Sequence, residues 1–192
     1  GGHAFLASGD FDADGLPDLA LTGSISDTVG VMMGNGNGTF HVRRDLPTPP
    51  DGFLTDVAIA DLNADGIRDL AVTSSASDTV SVFLGEGLGF YAPRRDYDTG
   101  RLPRFLAIDD VTGDGVPDLL TGNTNDRSIS ILRGFGDGTF FPREDIELRS
   151  LIPSLSLGAF AVEDLNGDGA PDIVFTYTEQ FEQYWVSVLL GN

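Results

Sequence analysis

The chain has no cysteine, no lysine and only two histidines, His3 and His41. Without cysteine, neither disulfides nor thiolate zinc sites are available. The 11 basic residues are all arginine and stand against 30 acidic ones, which sets the formal charge at −19. A surface of that sign excludes nucleic acid as a partner through phosphate neutralisation. No apolar run approaches the roughly 20 residues that a membrane helix needs, so no membrane span is expected. No positive and apolar leader follows Gly1, and a chain without an initiator methionine reads as a processed form or an excised piece. Nor do apolar residues keep helical spacing over three turns anywhere, which leaves strands as the regular structure. Parts for catalysis are also missing. There is no G-x-S-x-G elbow, and the paired carboxylates Asp109 and Asp110 are better explained by the loop chemistry of Asp110 than by general acid and base roles. The chain is expected not to be an enzyme.

What the chain has instead is carboxylates in a pattern. The segment Asp10-Phe-Asp-Ala-Asp-Gly-Leu-Pro-Asp18 recurs from Asp61 to Asp69, from Asp110 to Asp118 and from Asp164 to Asp172, at intervals of 51, 49 and 54 residues. A second landmark follows each copy: Asp27-Thr-Val-Gly-Val-Met-Met-Gly34, Asp78-Thr-Val-Ser-Val-Phe-Leu-Gly85, Arg127-Ser-Ile-Ser-Ile-Leu-Arg-Gly134 and Tyr184-Trp-Val-Ser-Val-Leu-Leu-Gly191. The first three run on through Gly-x-Gly-x-Gly turns to Phe40, Phe90 or Phe140. Such self-similarity marks a repeat architecture.

Each unit offers four strands: one before the Asp loop, one after it, one at the Val-x-Val landmark and one beyond the glycine turn. The runs Leu19 to Thr22, Leu70 to Thr73, Leu119 to Thr121 and Ile173 to Thr176 are the second of these. A unit of about 50 residues with four antiparallel strands has the size of a propeller blade, which must stack on neighbours to bury its faces. An all-β propeller follows, one domain over 1–192, with blade repeats 1–51, 52–100, 101–150 and 151–192. The four close by themselves or form part of a larger ring. The last repeat ends at Asn192, one strand short. The glycine segments read as hairpin turns and not as phosphate cradles, which would need a helix behind them.

The loop pattern D-x-[DNT]-x-D-G-x-x-D puts side-chain oxygens at positions 1, 3, 5 and 9, and a glycine at position 6 lets the backbone turn about an ion. Calcium takes six to eight oxygen ligands, so the carbonyl of position 7 completes the expected set. The candidate sites are Asp10, Asp12, Asp14, Leu16 and Asp18; Asp61, Asn63, Asp65, Ile67 and Asp69; Asp110, Thr112, Asp114, Val116 and Asp118; and Asp164, Asn166, Asp168, Ala170 and Asp172. An EF-hand would need Glu at position 12, where Leu21, Val72, Thr121 and Phe175 stand, so these are hairpin loops between strands. Four bound ions would bring the formal charge to about −11. The third site, with neutral Thr112, should bind least tightly.

In these loops, in the Asp-Leu-Ala-Val-Thr type of strand after them and in the Val-Ser-Val-Phe-Leu-Gly strand, the whole chain resembles the FG-GAP or VCBS repeats. Those occur in integrin α-subunit heads, fungal propeller lectins and many secreted bacterial proteins, and the broader VCBS type fits better. The resemblance implies a β-propeller with calcium between the first two strands of each blade, in an extracellular protein of adhesion or recognition. Family propellers usually have about seven blades, against four repeats here. The expected partners are copies of the chain itself, as oligomer or calcium-dependent filament, or other extracellular proteins. A carbohydrate-binding lectin is the alternative, with Phe40, Phe90, Tyr91, Phe140, Phe141 and Trp185 as candidate stacking aromatics, although their repeated positions favour core packing. The Arg43-Arg44-Asp45, Arg94-Arg95-Asp96 and Arg143-Glu144-Asp145 triplets read as a solvated outer strand with local ion pairs. Asn37-Gly38-Thr39 has the form of a glycosylation sequon inside a glycine turn.

Overall fold

A computed structural model of the chain describes residues 4–23, 25–50, 53–148, 156–178 and 184–191. The expected repeat boundaries at residues 1, 51, 52, 150, 151 and 192 lie outside these, as does His3. The described residues form four main antiparallel sheets, one per repeat and each meandering in chain order, and one separate two-stranded sheet. The first holds β1 (Ala4–Gly9), β2 (Asp18–Gly23), β3 (Thr28–Met32) and β4 (Arg44–Pro47). In the second, β5 (Leu54–Ala60), β6 (Asp69–Ser74) and β7 (Thr79–Phe83) are followed by a small hairpin, β8 (Gly85–Gly87) with β9 (Phe90–Tyr91), and then by β10 (Arg95–Asp98). β11 (Pro103–Asp109), β12 (Asp118–Asn123), β13 (Ser128–Leu132) and β14 (Glu144–Glu147) make the third. The fourth has three strands among the described residues: β15 (Ser156–Glu163), β16 (Asp172–Thr178) and β17 (Tyr184–Leu189).

One register serves all four sheets. Leu19 pairs with Met32, Leu70 with Phe83, Leu119 with Leu132 and Ile173 with Leu189. A one-residue slip would turn every side chain of a strand to its other face, so the apolar side chains packed in the core hold the pairing in register. The sheets stand side by side, with β1 against β5, β5 against β11 and β11 against β15. Three apolar clusters lie in the joints. Val29 and Val31 meet Leu54, Leu70 and Phe83 in the first joint, Val80 and Val82 meet Leu119 and Phe140 in the second, and Ile129 meets Leu157 and Phe175 in the third. Each fully buried Val, Leu or Ile contributes about 1.5–3 kcal/mol, so the joints and not isolated sheets carry the stability.

The outer strands carry the basic triplets as expected. Arg43 meets Asp45 at 2.6 Å, Arg94 meets Asp96 at 3.0 Å and Arg143 meets Asp145 at 3.6 Å. The Ser81 and Ser130 hydroxyls donate to Asp96 and Asp145, both at 2.6 Å, and so tie β7 to β10 and β13 to β14. The aromatic after the glycine turn requires a correction. Gly34 bridges Phe40 and Gly134 bridges Phe140, but Gly85 pairs with Tyr91. Tyr91, and not Phe90, is therefore the counterpart of the other two. Phe90 is 54% exposed and lies under the Arg44 guanidinium, 4.0 Å from its ring centre.

Candidate metal centre

Each Asp loop is a hairpin between the first two strands of its sheet, and its backbone folds onto its own carboxylates. The Asp10 carboxylate accepts the N–H groups of Asp14 at 3.1 Å and Gly15 at 2.9 Å. Asp61 and Asp110 accept the matching groups, and Asp164 accepts the N–H groups of Gly167 and Gly169. Those two glycine N–H groups hold the Asp164 carboxyl below the usual carboxylate range. At position 5, Asp14, Asp65, Asp114 and Asp168 each accept the N–H of the position-7 residue, at 2.7–2.9 Å. Two residues per loop turn left-handed: position 6 is always glycine, while position 4 is Ala13, Ala64, Gly113 or Gly167. The pattern identified the first of these turns and missed the second, whose sequence signal is the Ala-or-Gly restriction at position 4.

Position 9 does more than the ligation expected of it. Asp18 is 1% exposed, and its two oxygens accept the N–H of Phe11 and of Gly34, both at 2.7 Å. Asp69 does the same with Leu62 and Gly85, Asp118 with Val111 and Gly134, and Asp172 with Leu165 and Gly191. One buried carboxylate thus clamps the start of the Asp loop to the end of the third strand. The signal lay in the spacing, because Asp and Gly stand 16 residues apart in the first three repeats. Burial pushes the Asp69 carboxyl up to about 6 and also raises that of Asp118.

The clamped glycines fit one space. A Cβ on Gly34, Gly85, Gly134 or Gly191 would lie 2.3–2.6 Å from the carbonyl oxygen of the position-8 residue, Pro17, Arg68, Pro117 or Pro171. The position-7 side chains cover the same turns, with Leu16 over Gly36, Ile67 over Gly85 and Val116 over Gly134.

The first loop gathers its carboxylates most closely. Asp10, Asp12 and Asp18 bring one oxygen each within 4.8 Å of one another, the only such set of three acidic or His side chains among the described residues. Asp14 lies outside that set. The Asp12 Oδ1 is buried and has no hydrogen-bond partner, and burial together with Asp14 and Asp18 raises its pKa. A buried carboxylate oxygen beside two others is a strongly unfavourable arrangement unless a cation or a proton shares it. At the third position of the other loops, the Asn63 and Asn166 amides bond the N–H of Asp65 and Asp168, and the Thr112 hydroxyl faces Asp110 at 3.5 Å.

A family model described as FG-GAP-like repeat matches residues 10–72, 61–121 and 110–175, each match running from one Asp loop through the second strand of the next repeat. The chain belongs to the FG-GAP-like repeat family. No curated protein sequence matches it. Among solved structures, this FG-GAP-like chain is similar to an Agrocybe aegerita lectin described as specifically recognising non-reducing terminal N-acetylglucosamine. The TM-score is 0.62 at 22% identity, over 98% of this chain and 53% of the lectin chain. It is also similar to the V. cholerae biofilm matrix protein Bap1, with a TM-score of 0.60 at 19% identity, over 97% of this chain and 28% of Bap1. The chain therefore spans about half the length of the lectin and under a third of Bap1, and at these identities the likeness is one of fold.

Proposed function

We propose that this FG-GAP-like chain is a calcium-binding β-propeller module that works outside the cell in structure or adhesion, not catalysis, and associates with copies of itself when calcium is bound. The observation that carries the calcium reading is the Asp10, Asp12 and Asp18 set with its buried, unpartnered Asp12 oxygen. All donors are oxygens, the chemistry of a hard cation. Positions 1, 3, 5 and 9 with the position-7 carbonyl would hold one ion per loop, and the ion would neutralise carboxylates that otherwise repel. Sheets that stand side by side through their first strands support the propeller reading. Among the described residues, no helix is long and apolar enough to cross a membrane.

Melting in calcium and in chelator tests the reading. One site at a hundred times its Kd adds about 2.7 kcal/mol, and for a chain of this length each 1 kcal/mol moves Tm by about 2–4 °C. A rise of at least about 5 °C is expected, and a melting curve indifferent to chelator would refute it.

A second reading, glycan binding, is favoured by two related clefts between neighbouring repeats. One, of about 470 Å³, is lined by Leu46, Pro47, Phe83, Tyr91 and Arg94, and the other, of about 450 Å³, by Tyr97, Leu132, Phe140, Phe141 and Arg143. Both combine aromatic walls with charged rims, as sugar sites do, and the lectin is a structural relative. A glycan-array screen that includes N-acetylglucosamine tests it; no binding to any glycan at high protein concentration removes the reading.

A further inference from the structure

The first two joints dock the later repeat on the earlier one in the same way. A Cβ on Gly89 would lie 2.8 Å from Met33 Sδ, and one on Gly138 2.5 Å from Leu84 Cδ2, so each glycine turn rests on the residue before a clamped glycine. Beyond its turn, Phe140 is 7% exposed in the second joint and meets the Tyr97 ring edge to face, at 5.4 Å between centres. Its counterpart Tyr91 packs against the cluster of the first joint, which holds Phe11 and Val31. A phenyl ring suffices for such packing, as Phe140 shows, so the hydroxyl of Tyr91 is the group that needs a reason. It is buried and has no hydrogen-bond partner.

The first Asp loop has the complementary gap. Burial raises the Tyr91 phenol pKa, and the charges of Asp18, Asp69 and Asp12 raise it further, so the phenol keeps its proton and stays a donor. Asp18 and Asp69 already accept backbone N–H groups on both oxygens. Asp12 is the one of the three with an open acceptor, its buried and unpartnered Oδ1. The second loop differs at both places. There position 3 is Asn63, whose own amide donates to Asp65 at 2.9 Å, and the next repeat brings Phe140, which has no hydroxyl. The loop with a carboxylate at position 3 is thus the one that meets a tyrosine.

We infer that Tyr91 is a positioning residue of the first metal centre: with an ion held by Asp10, Asp12 and Asp18, its hydroxyl donates a hydrogen bond to the oxygen shell of that ion. The acceptor is Asp12 or a water on the ion. Outer-shell partners of this kind orient the ligands of a metal and tune its affinity. Donation also repairs the cost of a buried hydroxyl left without a partner. A site on the first repeat is then completed from the second, so an ion bound there tightens the joint between the two. The inference rests on the calcium reading above and adds one residue to it.

Melting of the native chain, Tyr91→Phe, Asp14→Ala and the double variant, in about 2 mM calcium and in chelator, tests it. Loss of an outer-shell partner weakens metal binding about ten-fold, so Tyr91→Phe should shrink the calcium-induced rise in Tm by about 3–5 °C. In chelator Tyr91→Phe should melt no lower than the native chain, because it removes a buried hydroxyl without a partner. Asp14→Ala strips the first loop of its position-5 carboxylate, and in that background Tyr91→Phe should leave the remaining rise unchanged. A rise that Tyr91→Phe leaves at the native value overturns the inference while the calcium reading stands. So does a lower Tm of Tyr91→Phe in chelator, which would make the hydroxyl a structural bond of the metal-free chain. An equal shrinkage in the Asp14→Ala background also overturns it, since the hydroxyl would then act on another loop. A native chain whose Tm is indifferent to calcium refutes both the inference and the calcium reading.

Discussion

Replacing Asp69 by alanine separates its role as a clamp from its proposed role as a metal ligand. In the native chain the Asp69 side chain is buried and accepts the N–H of Leu62 and of Gly85, both at 2.7 Å. Asp69→Ala leaves two buried donors without a partner, at about 1–3 kcal/mol each, which sets a range of about 2–6 kcal/mol. Burial already disfavours the Asp69 charge, as its carboxyl pushed up to about 6 shows, so loss of that charge offsets part of the cost. The lower half of the range, about 2–4 kcal/mol, is the expected destabilisation in chelator. Asp65→Ala is the control. Its carboxylate accepts the exposed N–H of Ile67 at 2.8 Å, which water can satisfy instead, and the expected cost in chelator is under about 1 kcal/mol. Urea denaturation in chelator, followed through the single tryptophan, Trp185, measures both. Equal destabilisation by the two substitutions would refute the clamp and return Asp69 to the role of a ligand alone. Adding calcium should then widen the gap between the native chain and either variant, since each variant has lost part of the second site.

Gly134→Ala would place its Cβ 2.4 Å from the Pro117 oxygen and 2.7 Å from Val116 Cγ1. Because the nearer obstacle is backbone, a loss of at least about 2 kcal/mol is expected by denaturant titration, and a neutral result would contradict the close approach. Ala64→Gly should act the other way, since Ala64 has φ of 59° where the third and fourth loops have glycine. A gain of about 0.5–1 kcal/mol in melting is expected, and a loss of similar size would argue against strain there. In chelator, Asp56, Asp69 and Asp118 all have carboxyls raised above 3.8 by burial. Their stabilising effect is complete below 3.8 and is lost as pH rises, through about 6 for Asp69, so Tm should increase from pH 7 to pH 5. With calcium bound, protons compete for the same oxygens and the trend should reverse; a metal-free Tm that falls on acidification to pH 5 would contradict the assignment.

The repeats, the strands and the Asp loops were legible because turn chemistry and period-2 apolar runs are local and were written four times. The loop pattern marks Asp18 and its counterparts as ligands, since ligation is a property expected of the loop itself. Their bonds to Gly34, Gly85, Gly134 and Gly191 depend on where the third strand ends in space, which spacing hints at but does not state. The Phe90 register failed for a related reason: Phe90 and Tyr91 are adjacent aromatics, and only the pairing of Gly85 with Tyr91 decides between them. Asp56 carried no signal at all. It accepts the Leu106 N–H at 3.0 Å across the second joint, beside a Thr55 hydroxyl that donates to the Pro103 carbonyl at 2.7 Å, and neither residue recurs in the other repeats.

The clamp also shapes how the protein resists force. A pull along the chain loads β2, β6, β12 or β16 at its first residue, and that residue is the carboxylate that grips the turn beyond the third strand. Tension therefore cannot peel the second strand away without also tearing the turn from the loop, so each repeat yields as one unit. With repeats spaced 49–54 residues apart and about 3.5 Å gained per extended residue, every rupture releases about 170–190 Å of chain. An array of such units would lengthen in discrete steps and absorb work at each one.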